Sequence, residues 1–216
     1  NGFFIPTAVK QAWAAQLQVL DVIETICRKH DITYFADWGT ILGTVRHGGY
    51  VPWDDDMDIC MKREDYTRFK EAAKTELPKD FRIHDYEHQE DHWLFLSRVA
   101  NSVHINFEPE HMKQFHNFPY IAGIDIFVLD YLYKDEQQEK QRCEEVKHII
   151  AVADSIIVGE IAQPVKEANL IQLEEKYHKT FNRKLDNRHM GIELYRLAEE
   201  QMARVPKEES DRMAQI

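Results

Sequence analysis

The run Ile124-Asp125-Ile126-Phe127-Val128 restricts this chain more than any other stretch. It is the most apolar of the extended segments, which predicts a central strand. Yet it carries a carboxylate, and an unpaired charge is expensive to bury. A fold that accepts Asp125 has to set something against it.

Other carboxylates lie upstream. Asp54-Asp55-Asp56 leads into Met57-Asp58-Ile59-Cys60-Met61, whose alternation reads as a second strand. Residues two apart on a strand share a face, with Cα atoms about 6.5–7 Å apart. Asp56 and Asp58 can then converge on one hard cation, with Asp55 and Met57 turned away, and Asp125 on a neighbouring strand supplies a third oxygen. Three carboxylates at a sheet edge repel one another unless a cation compensates them. Mg2+, with Mn2+ as a substitute, suits such a set, since it takes few carboxylates and fills its shell with phosphate oxygens and water. Taken alone, Asp54-Asp55-Asp56 fits a solvated turn equally well; Asp125 tips the balance. An EF-hand loop is excluded because Ile59 stands at its required glycine and Asp65 at its terminal glutamate.

Between these blocks, Ile32 to Ala36 reads as a strand running into Asp37-Trp38-Gly39-Thr40, a turn that opens a short helix from Ile41 to Arg46. Gly39 and Thr40 there offer backbone N–H groups and a hydroxyl to a phosphate. Phosphoryl transfer needs such parts: a metal for the developing charge, a phosphate cradle and a carboxylate to orient the attacking hydroxyl.

Elsewhere the periodicity predicts a helix capped by Thr7, another from Arg63 to Leu77 ended by Pro78, and extended segments at Phe81–Ile83, Trp93–Val99 and Val103–Phe107. A polar loop then leads to Tyr120. Helices follow at roughly 136–158, 167–181 and 187–205. The class is α+β, a mixed sheet with packed helices and a helical C-terminal part. The change of character near residue 134 divides a catalytic core, 1–134, from a helical subdomain, 135–216.

With 44% hydrophobic residues the chain can build a core, and its net charge of −11 argues against a broad nucleic-acid-binding surface. It permits nucleotides, because a divalent cation can sit between two sets of negative charge. Three dispersed cysteines without Cys-x-x-Cys spacing fit a reducing cytoplasm. No apolar run has the length of a membrane span. His84, His88 and His92 imitate a zinc-protease helix, but Gln89 occupies the position of its general-base glutamate. Arg183, Lys184 and Arg188 are candidate contacts for an anionic acceptor, or simply a solvated helix face.

The segment Trp38-Gly39-Thr40-Ile41-Leu42-Gly43-Thr44-Val45-Arg46-His47-Gly48-Gly49-Tyr50-Val51-Pro52-Trp53-Asp54-Asp55-Asp56-Met57-Asp58-Ile59 closely resembles the signature of the LicD family, and Gly123 to Asp130 resembles its second block. The resemblance covers about residues 20–135. It implies a nucleotidyltransferase-type fold and a bacterial enzyme that takes phosphocholine from CDP-choline to a lipid-linked glycan of teichoic acid, lipopolysaccharide or capsule. Such an enzyme works in the cytoplasm, with peripheral contact to the inner membrane face. Related members transfer other alcohol phosphates, such as glycerol or ribitol phosphate. Carried to matching positions, Gly39 and Thr40 form the phosphate turn, and Asp56, Asp58 and Asp125 form the metal cluster, with Asp125 also drawing a proton from the acceptor. Arg46 and His47 face the nucleotide or phosphate. Val128 and Cys60 depart from the usual Pro and small residue. Trp38, Tyr50 and Trp53 are either an aromatic wall for a choline ammonium or loop packing. Two rival functions stand beside this one: attachment of a nucleoside monophosphate, and a non-catalytic acidic module that binds metal or glycan.

Overall fold

The computed structural model describes residues 2–87 and 95–215. It divides into two compact units, Asn1–Leu129 and Asp130–Ile216. The architecture is α+β, a mixed sheet with, among the described residues, seven α-helices.

In the first unit the strands are β1 (Tyr34–Ala36), β2 (Asp58–Lys62), β3 (Arg82–His84), β4 (Ser97–Ala100) and β5 (Gly123–Tyr131). Their order across the sheet is β1-β2-β5-β4-β3, which makes β5 central, as its apolar run predicts. β2 and β5 run parallel, with Asp58 beside Asp125, whereas β1–β2, β4–β5 and β3–β4 are antiparallel.

One face of this sheet carries the core. Burial alternates strictly along β5, placing Ile124, Ile126 and Val128 inward beside Ile59 and Met61 of β2. Against them pack α1 (Thr7–Lys29) through Ala15, Val19, Ile23, Ile26 and Cys27, and α3 (Arg63–Glu76) through Tyr66, Phe69 and Ala73. The other face receives the alternate residues Asp58 and Cys60 of β2, and Asp125 and Phe127 of β5. The N-terminus of α2 (Trp38–His47) lies there, with Trp38 against Phe127 at a ring separation of 6.2 Å.

The second unit is mainly helical: α5 (Glu136–Val158), α6 (Gln163–Tyr177) and α7 (Asn187–Met202), with a short β6 (Met213–Ala214) pairing with Asp130 and Tyr131. Gly191 lets α7 close on α5, since a Cβ there would lie 2.2 Å from Ile157 Cγ1. Arg142 is fully buried, donating to the Met202 carbonyl and paired with Glu139.

Several expected boundaries shift. Thr7 is the first residue of α1 rather than its cap, because Pro6 precedes it in an extended conformation. The short helix begins at Trp38, ahead of Ile41, because the Asp37 side chain accepts from the Trp38 N–H and starts it early. Val103–Phe107 is not a strand: its alternation is real, but Val103, Ile105 and Phe107 are exposed and, among the described residues, no neighbouring strand pairs with them. The polar loop before Tyr120 contains a one-and-a-half-turn helix, α4 (Pro109–Gln114). Trp93, His88 and His92 lie outside the described residues.

Candidate active site

The acidic site is assembled from three neighbouring backbones. Asp58 opens β2, Asp125 stands beside it on β5, and Asp54, Asp55 and Asp56 form the irregular approach to β2. Parallel neighbours lie about 4.7–4.9 Å apart, so the register alone places two carboxylates side by side. Backbone hydrogen bonds fix that register: Asp125 N–H donates to the Met57 carbonyl at 3.2 Å, and Asp37 N–H to the Asp58 carbonyl at 3.0 Å.

The approach loop is tied from two sides. Trp13 Nε1 donates to the Asp54 carbonyl and Gln16 Nε2 to the Asp55 carbonyl, each at 2.8 Å, from successive turns of α1. On the other side the Asp54 carboxylate lies against Gly39, where a Cβ would come within 2.1 Å of Oδ2. A side chain at Gly39 would therefore have to displace the Asp54 carboxylate. The expected role, room for a phosphate, is not what this contact displays. Thr40 likewise has a local partner: its hydroxyl accepts from the Asp58 N–H at 2.8 Å and joins α2 to β2. Trp38, at the head of this helix, adopts a left-handed φ of +42° that a bulky residue takes only under strain.

Asp58 is 8% exposed, and its carboxylate has no hydrogen-bond donor or ion-pair partner among the described residues. Burial, followed by the charges of Asp56, Asp125, Asp54 and Asp37, pushes its pKa up to about 6. Asp54 is raised as well, by burial and then by its hydrogen bond and repulsion with Asp56. Such a field concentrates negative charge around Asp58. Its all-oxygen donor set and unpartnered, buried Asp58 fit a hard divalent cation.

Two details of the expected cluster change. Among the described residues, Asp54, Asp55 and Asp56 each bring one carboxylate oxygen within 4.8 Å of the other two, so Asp55 joins the acidic set it was expected to face away from. Asp56, Asp58 and Asp125 are neighbours but are not drawn in to that distance. Asp125, whose charge was expected to be set against a cation, also has a protein partner that the sequence did not advertise. Arg98 of β4 donates Nε to its Oδ1 at 2.5 Å and Nη2 to its Oδ2 at 2.6 Å. A single arginine in a short strand belongs to no motif, and only the strand pairing reveals it.

Arg46 and His47 occupy the exposed last turn of α2. At 1.5 Å rise per residue they lie roughly 10 Å along the helix from Gly39. His47 meets Trp53 edge-on at 6.5 Å. Of the three aromatic residues, Trp38 and Trp53 are exposed, but Tyr50 stacks on Trp13 at 4.7 Å and hydrogen-bonds to the Trp13 carbonyl and Gln16. Tyr50 is thus part of the packing that holds the acidic loop and does not belong to a ligand wall. In the second unit Arg183 is bound by Glu167 and Glu174, so its charge is already answered.

Comparison with known proteins bears on the same stretch. The family described as LicD/FKTN/FKRP, nucleotidyltransferase domain, matches residues 31–152. Over 53 residues the chain is 43% identical to lipopolysaccharide cholinephosphotransferase LicD of Haemophilus influenzae, covering 24% of this chain and 20% of that protein. An uncharacterized protein of Rickettsia typhi is 39% identical over 54 residues, 25% of this chain and 18% of that protein. One from Rickettsia prowazekii is 42% identical over 48 residues, 22% of this chain and 18% of that protein. The chain thus spans about a fifth of the length of the curated relatives it matches.

Proposed function

Because this chain belongs to the LicD family of nucleotidyltransferase domains, we propose that its acidic site transfers an alcohol phosphate from a CDP-linked donor to a glycan hydroxyl. Phosphocholine is the first choice, the group in the name of the Haemophilus influenzae relative, a cholinephosphotransferase, and CDP-choline would be its donor. The observation that carries the reading is Asp58, a largely buried carboxylate set among four others whose charges raise its pKa. A protein tolerates that arrangement where a cation and an anionic ligand complete it.

Asp56, Asp58 and Asp125, with Asp54 and Asp55 adjoining, would hold Mg2+, which would supply charge neutralisation for the donor's diphosphate. The acceptor oxygen attacks the phosphorus bearing the alcohol; the new P–O bond forms as the bond to the CMP oxygen breaks, and CMP leaves. The acceptor's proton passes to a carboxylate. Asp56 or Asp58 suits that step better than Asp125, whose two oxygens are both engaged by Arg98. Gly39 and Thr40 act by seating Asp54 and the start of β2, while Arg46 and His47, exposed on α2, face the nucleotide. The exposed rings of Trp38 and Trp53 offer faces to a choline ammonium.

The acceptor is a cell-surface glycan, lipid-linked during assembly, and the reaction takes place in the cytoplasm against the inner membrane face. Three free thiols agree with a reducing compartment. Among the described residues no helix is long and apolar enough to cross a membrane.

Incubation with CDP-choline, CDP-glycerol and CDP-ribitol plus Mg2+ and a glycan acceptor tests the proposal. CMP release with one of them, abolished in Asp58→Ala while the circular dichroism spectrum is kept, is the expected result. Full activity of Asp58→Ala removes the site. Release of diphosphate from a nucleoside triphosphate, with no CMP from any CDP-alcohol, turns the assignment to nucleotidyl transfer.

A further inference from the structure

Arg98 is the positive group that faces this acidic field, and its placement is built. It is the register partner of Asp125 across β4 and β5, and projects to the same face. Its stem lies flat over Gly123, where a Cβ would come within 2.9 Å of Cδ. Both its Nε and Nη2 are spent on Asp125, while Asp56 and Asp58 add to the negative field around it. The arginine side chain is nonetheless 51% exposed, so the pair is not sealed in the core. Its partner Asp125 is 13% exposed, so the carboxylate end of the pair is the more buried one. The arginine's geometry, a planar fork matched to two oxygens, also matches a phosphate.

Resting on the transferase reading above, we propose that Arg98 is a diphosphate-binding residue held in reserve on Asp125. Divalent cation and guanidinium compete for that carboxylate, and the guanidinium freed from it binds the donor's phosphates. Two like charges meeting at Asp125 repel until an anion comes between them. Cation and diphosphate therefore bind cooperatively, each lowering the cost of seating the other. In the ligand-free protein the same clasp keeps Asp125 compensated.

The competing account, a clasp that merely holds Asp125 in place for the metal, makes the opposite prediction, so Mn2+ binding decides between them without any turnover. Titration of the whole chain by electron paramagnetic resonance, with and without inorganic pyrophosphate, should show pyrophosphate tightening Mn2+ binding in the wild type. In Arg98→Gln, Mn2+ alone should bind roughly five- to tenfold tighter, and the part of the pyrophosphate coupling that Arg98 supplies should be lost, leaving only that from direct contact of metal and anion. Gly123→Ala, which crowds Cδ off its seat but leaves the arginine, serves as the second variant and should also bind Mn2+ tighter. Mn2+ binding that is unchanged, weaker or absent in both variants overturns the proposal, as does pyrophosphate coupling in Arg98→Gln as strong as in the wild type. The two readings fail separately. CMP release by a wild type whose Arg98→Gln variant binds Mn2+ no better sinks the role of Arg98 alone. Tighter Mn2+ binding and weakened coupling without CMP release from any CDP-alcohol sinks the donor assignment alone.

Discussion

At the scale of single residues, the site sets stability against chemistry at Asp58. Burial and the neighbouring carboxylates disfavour its charged form, so Asp58→Asn should stabilise the metal-free protein while ending transfer. We expect about 1–3 kcal/mol at neutral pH, a rise of roughly 3–8 °C in Tm. The sign has a pH signature. The folded state holds the Asp58 proton up to about pH 6, above the ordinary carboxylate value of 3.8. Through that window the folded state binds more protons than the unfolded chain, so wild-type stability falls as pH rises. The advantage of Asn should therefore be absent below pH 3.8, grow across the window and be complete above pH 6; thermal melts in EDTA at several pH values read it directly. Thr40→Val changes the same few ångströms with the opposite outcome. It strands the Asp58 N–H that the hydroxyl now accepts from, a loss of about 1–3 kcal/mol, and equal melting temperatures for the two variants would contradict this account. The aspartates were legible in the sequence because carboxylates at alternating positions beside apolar residues have few bland explanations. Arg98 was not, since an arginine acquires meaning there only through the strand that pairs with it.

At the scale of elements, α1 does more than cover the sheet. Its apolar spacing announced a packing helix, and Val19, Ile23 and Ile26 fill the core as expected. Periodicity cannot tell which polar atoms on such a helix reach a distant loop, and Trp13 and Gln16 are the ones that do, holding the Asp54 and Asp55 carbonyls. Trp13→Phe keeps an aromatic face for Tyr50 but removes the indole donor. Mn2+ affinity should fall by about three- to tenfold, the loss of one hydrogen bond, with helical content unchanged; undiminished affinity would show that the loop needs no support from α1. The character of α2 was harder to read. Its start depended on Asp37 acting as a cap, so Gly39 and Thr40 became a first helical turn in place of a free cradle. Strand alternation misled at Val103–Phe107 because a pattern of period two specifies a strand only where another strand is available to pair with it.

At the scale of the whole molecule, three ways of dividing the chain disagree, and each has a physical reason. Composition changes near residue 134, where strands give way to helices. Compactness divides the chain after Leu129, inside β5, because the last residues of that strand pair with β6 in the second unit. The family match begins at residue 31 and ends within α5. It therefore omits α1, although α1 supplies much of the first unit's core and both tethers of the acidic loop. A matched segment records where sequence has been kept alike, and an amphipathic helix can perform its packing with many sequences. Folding has no such freedom. Val19, Ile23 and Ile26 each contribute roughly 1.5–3 kcal/mol through burial, and a domain's entire stability is about 5–15 kcal/mol. A chain lacking residues 1–30, with every matched residue and every carboxylate of the site intact, should therefore fail to fold cooperatively. Loss of a sigmoidal thermal transition in circular dichroism is the expected outcome. A cooperative melt that still binds Mn2+ would mean that the sheet and α3 close the core without α1, and that the acidic loop takes its shape from Gly39 and β2 alone.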